Sequence, residues 1–465
     1  MSPAEALMWN VEKDPWLNPS GASLSIIDGP LDPEVLSQWL RAAVAALPRL
    51  RDRVEPGLAR LRPPRWMPDP EFSFDYHVTH VNLPAPGTER ELLDLVALLF
   101  QEPYDRTRPV WKIYAIGGLE GGRSALLMKM HHSIADGYGM ARMQERFMVR
   151  DPDAAPPDYV DLDQIVAETC AAAAEEHAKS GPGVLDVVGA PAGLARRVAA
   201  EAALMMTDPT TLLDRGATAR AFAQMAIKQL QSGRSDDDSV PSGSPLWTGR
   251  SRHRHLEILR FPLSEAKLAA KALGGSLNDV FMTALVEGAV SHHEQRDMPA
   301  HSFNTSFVIS TRSDKSEGGN SFTPVRVQIP AEPMSPQQRF AAVQERIAAE
   351  RSATVGGGLM GSMAWVVNLL PTSVTTRVAR SQGARIDFAT TNVRGSAKPL
   401  YIAGQPMTEI YAPGPVAGSA MIVAVISYLD TMCMMMTIDP AAIPDGPALR
   451  ADVEQAFADL VTAAA

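Results

Sequence analysis

The sequence predicts a mixed α/β or α+β fold divided between two parts of the chain, and three observations support this. The chain has 465 residues, about three times a typical domain of ~150, so two domains or one double-lobed body are expected. Strand and helix patterns alternate near both ends. Between them, residues 151–245 lose this alternation, which predicts a helical crossover and a flexible linker between an N-terminal lobe at 1–150 and a C-terminal lobe at 246–465.

The N-terminal part opens with a strand followed by a helix. Leu24 to Ile27 alternate like a strand. Asp32 and Pro33 supply an N-cap and a first-turn proline, so a helix is expected to run from there toward Leu47.

A second unit is predicted to repeat that order. The period-two spacing of large apolar residues from Phe72 to Val78 predicts a strand, and a capping box from Thr88 to Glu91 predicts a helix through Phe100. Two further strands joined by a glycine turn are expected at 114–116 and 125–130. The second of these strands ends at a pair of histidines.

The C-terminal part again mixes the two kinds of element. Helices are predicted at 263–273, 278–292, 336–350 and 447–460, and strands at 305–309, 325–329 and 421–428. The methionine-rich run from Met432 to Met436 is expected to be a core strand, although thioether side chains also adapt to varied apolar surfaces and would suit an apolar channel.

Composition and charge exclude several classes of protein. Hydrophobic residues make up 45% and charged residues 21%, as in globular proteins. The formal net charge of −10 argues against a nucleic-acid partner. Cys170 and Cys433 cannot form a disulfide framework, and neither a signal peptide nor an apolar run of ~18 residues is evident. A cytoplasmic protein is expected, and peripheral contact with membranes or lipid inclusions stays open.

The segment from His131 to Gly137 is the strongest candidate for chemistry. Strand alternation places His132 on the face of Met128 and Met130, and His131 on the opposite face. Histidine suits general-base work because its ordinary pKa near ~6.5 leaves a basic, neutral ring at physiological pH. Asp136 could brace the loop or fix the imidazole tautomer. A purely structural histidine pair is the main alternative. No metal is expected, because there are only three candidate ligands and the two rings face apart.

Several segments, taken together and in their order along the chain, resemble the bacterial wax ester synthase/diacylglycerol acyltransferase family, a branch of the HxxxD acyltransferases. They are His131-His132-Ser133-Ile134-Ala135-Asp136-Gly137, the runs 80–87 and 104–111, Gly274 to Val280, Ile309 to Arg312, Gly319-Asn320, Thr391 to Val393 and Pro399 to Gly404. The resemblance runs from about Ser2 to Phe457 and is weakest across 151–240.

The resemblance implies two similar α/β lobes of mixed sheet flanked by helices, with a channel between them. It implies that the catalytic residues are His132, which is the base, His131 and Asp136, with Gly137 as structural support. It also implies that Asp136 turns away from the substrate to pair with an arginine, for which Arg312 is the candidate.

The thioester attack that the resemblance implies creates an oxyanion, which needs placed donors. Asn278 and Asp279 are the substrate or oxyanion candidates, although Asn278 is also a good N-cap for a helix starting at Asp279.

The implied reaction moves a fatty acyl group from acyl-CoA, a co-substrate rather than a bound cofactor, to diacylglycerol or a long-chain alcohol. A condensation-type enzyme forming amides or esters shares the HHxxxDG segment, but Pro399 to Gly404 favour the lipid branch. A catalytically weak lipid-binding or regulatory homologue is the other alternative, because the family's Ser-Tyr-x-Gly is here Ser427-Tyr428-Leu429-Asp430 and the Asn-Val-Pro-Gly-Pro loop is altered at 392–396. A helix from Ala190 to Met206 is a candidate for membrane or lipid-droplet contact.

Overall fold

Two mixed β-sheets and the helices that cover them form the fold. The computed structural model describes residues 1–56, 64–135, 137–144, 146–179, 243–310, 322–354 and 372–465. The candidate helix from Ala190 to Met206 lies outside these ranges.

The strands, numbered along the chain, are β1 Ser20–Ile27, β2 Asp52–Glu55, β3 Arg65–Pro68, β4 Val78–Asn82, β5 Trp111–Gly117, β6 Ser124–His131, β7 Met148–Val149, β8 His255–Pro262, β9 Ser302–Ser310, β10 Phe322–Pro330, β11 Phe388–Arg394, β12 Tyr401–Ile402, β13 Gln405–Tyr411, β14 Met421–Tyr428 and β15 Thr431–Ile438. The helices are α1 Pro3–Val11, α2 Pro33–Ala46, α3 Phe74–His77, α4 Glu89–Gln101, α5 Gly137–Gln144, α6 Leu162–Lys179, α7 Leu263–Ala272, α8 Leu277–Glu294, α9 Pro336–Thr354, α10 Thr372–Ala384 and α11 Gly446–Ala464. Within the described ranges, no helix is both long and apolar enough to cross a membrane.

The first sheet has seven strands in the order β4-β5-β6-β1-β13-β12-β7, and the second has six in the order β10-β9-β11-β14-β15-β8. Both sheets mix parallel and antiparallel pairs. In the first, β4 is parallel to β5 while β1 is antiparallel to β6 and β13. In the second, β11 is parallel to β9 and β14 while β15 is antiparallel to both neighbours. The predicted α/β class with mixed sheets is confirmed.

The first sheet is completed by strands from the C-terminal part of the chain. Leu24 of β1 pairs with Tyr411 of β13, and β13 in turn pairs with β12. Residues 401–411 therefore belong structurally with the N-terminal lobe. The two lobes are interlocked, although the division into three segments along the chain stays a prediction.

A shared core joins the sheets. On β15, Cys433 and Met435 pack in one cluster with residues of β1 and α4, while Met432, Met434 and Met436 pack in the core of the C-terminal lobe. Each of these five side chains is at most 2% exposed. Because alternate residues of a strand face opposite sides, one strand supplies both cores. The expectation of a methionine-rich core strand is confirmed.

Most of the predicted helices and strands are present, and one prediction is wrong. Asp32 caps α2, and Thr88 and Glu91 form the capping box of α4, as expected. The strand predicted from Phe72 to Val78 is instead the one-turn helix α3, followed by β4. Ser73 accepts a hydrogen bond from the Tyr76 amide and so caps that turn. The local cap outweighs the period-two pattern.

Candidate active site

The candidate site lies where β6 ends beside the central strand β1. Their antiparallel register places His131 opposite Ser20 and Met130 opposite Gly21. The amide of His132 donates a hydrogen bond to the Pro19 carbonyl at 3.1 Å, which extends the ladder one residue beyond β6. The backbone position of His132 is therefore fixed by the middle of the sheet.

The His132 ring is half-buried and has a defined orientation. Its Nδ1 lies 3.3 Å from the carbonyl oxygen of Ala135, in the turn that follows the strand. A carbonyl can only accept, so Nδ1 carries the proton in this contact. In the neutral ring, Nε2 is then the nitrogen with the basic lone pair.

His132 lies on the face of Met130, as alternation predicts. A Cβ atom built on Gly21 would lie 3.0 Å from His132 Nε2, and Gly21 is the cross-strand partner of Met130. Neighbouring cross-strand side chains share a face of the sheet. The ring therefore lies over the Gly21 backbone.

His131 is held in a different environment and is completely buried. Its Nδ1 accepts a hydrogen bond from the Ser133 amide at 3.0 Å and lies 2.7 Å from Ser133 Oγ. The proton of the neutral ring is then on Nε2, which lies 3.4 Å from a carboxylate oxygen of Glu12. The edges of Trp9 and Tyr104 meet the same ring. These contacts enclose the His131 ring in the protein interior.

A buried charge cluster surrounds His131. Arg106 donates to Glu12 at 2.8 Å and to the Trp9 carbonyl at 2.8 Å, and its guanidinium stacks on the Trp9 ring. Burial alone would raise the pKa of Glu12, but contact with His131 and the charge of Arg106 outweigh it and lower the pKa. Burial lowers the pKa of Lys129, on the same strand, to about 8.

Sequence reasoning missed both Glu12 and Gly21. A signal for Gly21 was available, since a glycine inside an alternating strand marks a close approach. Glu12 follows α1 far from the histidines in sequence, and no local pattern links it to them.

The structure changes the assignment at the start of α8. The N-cap is Ser276, not Asn278, and it forms a capping box with Asp279. The Asp279 carboxylate accepts from the Ser276 amide and hydroxyl, both at 2.8 Å, so it is engaged within the helix terminus. Asn278 lies in the first turn, and its Nδ2 is buried without a hydrogen-bond partner among the described residues.

Asp136 and Arg312 lie outside the described residues, so their predicted ion pair stays a prediction. Gly137 begins α5, directly after the turn that carries His132.

Asp430, where the chain departs from the pattern it resembles, has a local structural role. Its carboxylate accepts from the Ser264 amide at 2.9 Å and hydroxyl at 2.8 Å, in the first turn of α7. The preceding residue Leu429 has a positive φ of 51°, as the tight turn between β14 and β15 requires. Tyr428, in contrast, is buried and bridges the sheets, because its hydroxyl donates to the Met407 carbonyl and accepts from the Leu400 amide.

The fold is that of two-sheet acyltransferases and condensation domains. The structure is similar to wax ester synthase/diacylglycerol acyltransferase from Marinobacter aquaeolei VT8, with a TM-score of 0.60 and 17% identity over 96% of this chain and 94% of that one. It is also similar to the first condensation domain of the calcium-dependent antibiotic synthetase, with a TM-score of 0.56 and 18% identity over 100% and 95% of the two chains.

Residues 1–281 match the wax ester synthase/diacylglycerol acyltransferase catalytic domain, and residues 318–461 match the C-terminal domain of the same proteins. The chain belongs to this family, and it is an O-acyltransferase that transfers an acyl group to diacylglycerol or a long-chain alcohol.

Two relatives come from Mycobacterium tuberculosis. A putative diacylglycerol O-acyltransferase is 27% identical over 450 residues, which cover 95% of this chain and 88% of the relative. A probable diacylglycerol O-acyltransferase is 26% identical over 460 residues, which cover 94% and 90%.

Proposed function

We propose that His132 is the general base in transfer of a fatty acyl group from acyl-CoA to diacylglycerol or a long-chain alcohol. The observation that carries this is the contact of Nδ1 with the Ala135 carbonyl, which leaves Nε2 as the basic nitrogen. His131 cannot share that role in its present position, because both its ring nitrogens face buried protein groups.

The proposed reaction needs one proton relay. His132 Nε2 takes the proton of the acceptor hydroxyl while the oxygen attacks the thioester carbonyl carbon, and the tetrahedral intermediate carries the negative charge. When the C–S bond breaks, the imidazolium returns its proton to the departing CoA thiolate. The products are an ester and CoA thiol, with no covalent acyl-enzyme.

Asn278 is the proposed donor to the thioester oxygen. Its Nδ2 is buried without a partner in the described part of the chain, and Asn278 lies in the first turn of a helix. Both features suit a developing negative charge. Asp279 supports this position by capping the helix rather than by meeting substrate. We propose that Asp136 and Arg312 form an ion pair that holds the histidine turn, on the strength of the motif alone.

The substrates are tested with purified protein and palmitoyl-CoA. Release of CoA thiol is followed with diacylglycerol, hexadecanol, a long-chain amine or no acceptor, and the lipid products are identified by mass spectrometry. Acceptor-dependent thiol release with triacylglycerol or wax ester is expected. Amide as the main product would favour the condensation-type alternative, and no product with any acceptor would favour an idle lipid-binding homologue.

A further inference from the structure

Gly21 is a glycine in the central strand of the first sheet, and its backbone conformation does not require one. It lies in an uninterrupted ladder with β6, and it is not among the described glycines with positive φ. Glycine weakens a strand, because it gains no packing and loses more backbone freedom on folding than other residues. Another requirement must favour it at this position.

The register of the sheet supplies that requirement. Gly21 faces Met130, and Pro19, two residues earlier, accepts the amide of His132. Gly21 is therefore the diagonal neighbour of His132 on the same face, close enough for a long side chain to reach.

A side chain at this position would meet the reacting end of the ring. A Cβ on Gly21 would lie 3.0 Å from His132 Nε2, 3.3 Å from Cε1 and 2.9 Å from Met140 Cε. Ordinary carbon contacts are ~3.5 to 4.0 Å. The His132 imidazole, which follows β6, and the Met140 side chain of α5 thus meet over the Gly21 backbone.

We propose that Gly21 is a positioning residue for acyl transfer: its missing side chain keeps room beside His132 Nε2 for the acceptor hydroxyl, and Met140 bounds the same space. This rests on the proposed role of His132. A base takes a proton from a hydroxyl oxygen within ~2.6 to 3.2 Å. The point where a Cβ would stand is itself 3.0 Å from Nε2, so a side chain there competes with the acceptor or displaces the ring.

The competition depends on the size of the acceptor. Water, which would hydrolyse the thioester, needs the least room, a slender primary alcohol needs more, and the glycerol backbone of diacylglycerol needs most. Adding one methyl group at position 21 is therefore expected to slow transfer to diacylglycerol most, transfer to a primary alcohol less and hydrolysis least.

The test compares Gly21→Ala and Gly21→Val with the matched control Ala22→Gly, which changes the adjacent residue on the opposite face of β1. For each variant, kcat and KM are measured with diacylglycerol and with hexadecanol, together with acceptor-independent hydrolysis of palmitoyl-CoA and the melting temperature. Gly21→Ala is expected to lower kcat for diacylglycerol by about 10- to 100-fold, since small misplacements at a reacting centre have effects of this size. The loss is expected to be smaller for hexadecanol and smallest for hydrolysis, and the melting temperature is expected to be unchanged or raised. Ala22→Gly should lower the melting temperature while kcat is retained.

Met140 provides a second, independent approach that leaves β1 intact. Gly21→Ala combined with Met140→Ala is expected to recover part of the lost kcat, because the nearest contact of the new Cβ is removed. Met140→Phe narrows the space from α5 and is expected to disfavour diacylglycerol over hexadecanol, which keeps the test usable if Gly21→Val does not fold.

Wild-type kcat for both alcohols in folded Gly21→Ala and Met140→Phe would overturn the inference, and so would an equal loss for water, hexadecanol and diacylglycerol. Failure of the proposed function can be distinguished from failure of this inference. Full acyl transfer by His132→Ala would contradict the proposal that His132 is the base. An inactive His132→Ala together with fully active Gly21 variants would contradict only the inference about Gly21.

Discussion

Replacing Glu12 tests whether the buried charge cluster around His131 supports the turn that carries His132. The Glu12 side chain is 7% exposed and that of its partner Arg106 is 29% exposed. Removing one partner of a buried ion pair typically costs ~3 to 5 kcal/mol. Arg106 is partly exposed and keeps its bond to the Trp9 carbonyl, so Glu12→Ala is expected to lower the free energy of unfolding by about 3 kcal/mol, the lower end of that range.

Glu12→Gln is the more informative variant because it keeps the shape and one acceptor oxygen for Arg106. A loss of about 1 to 2 kcal/mol is expected, the difference between a charged and a neutral hydrogen bond. The matched control is Glu55→Gln, which makes the same change in an ion pair with Arg65 whose side chains are 47% and 50% exposed. That control is expected to cost less than about 1 kcal/mol.

The Glu12 contribution also depends on pH. Because the folded pKa lies below the ordinary value of 4.5, the ionised carboxylate stabilises the fold above pH 4.5, and this stabilisation is lost as the pH falls through the lowered pKa. Chemical denaturation of the wild type and Glu12→Gln is therefore expected to show a stability gap at neutral pH that shrinks in acid. A gap that stays constant or widens in acid would refute the assigned electrostatics.

Measurements of kcat distinguish a supporting role of Glu12 from a catalytic one. Glu12 contacts His131, the neighbour of His132 in sequence, so folded Glu12→Gln is expected to lose less than about tenfold in kcat, or ~1.4 kcal/mol of barrier. A loss as large as that of a His132 variant, in folded protein, would contradict this placement.

Three further results are expected. Asp430→Gly should lower the melting temperature, by loss of two hydrogen bonds at the start of α7, while the ratio of rates with diacylglycerol and hexadecanol stays unchanged; an altered ratio with unchanged melting would instead support a role at the acceptor entrance. Asn278→Ala should lower kcat by up to ~10² to 10³ without loss of stability, the effect of removing one oxyanion donor, and wild-type kcat would exclude that role. Single and double substitutions Asp136→Asn and Arg312→Gln should show coupled losses of stability, and strictly additive effects would argue against the pair.

The elements of the fold were predictable wherever local chemistry decides them. Caps at Asp32 and Thr88 located helices, and the methionine-rich apolar run of β15 indicated a core strand. The strand expected from Phe72 to Val78 failed because the cap at Ser73 competes with periodicity at short range. Placement of residues 401–411 in the first sheet depends on pairing with β1, which no local pattern encodes.

The candidate site was predictable in its centre but not in its surroundings. The alternation of β6 separated His132 from His131 correctly, because period two is a property of any strand. The contact of His131 with Glu12 and the approach of His132 to Gly21 arise from tertiary packing. The alternative interpretation of Asn278 as an N-cap is wrong. Ser276 and Asn278 are both good capping residues, and the structure shows that Ser276 accepts the helix amide.

The most direct test of the central claim compares His132→Ala with His131→Ala. Both proteins are first shown to be folded by circular dichroism and melting, and CoA release from palmitoyl-CoA is then measured with diacylglycerol and with hexadecanol. His132→Ala is expected to lose ~10² to 10⁴ in kcat, the usual contribution of a general base, whereas His131→Ala should lose mainly stability, since its ring is held by Ser133 and Glu12. Equal losses in the two folded variants would contradict His132 as the sole base, and full activity of His132→Ala would contradict the mechanism.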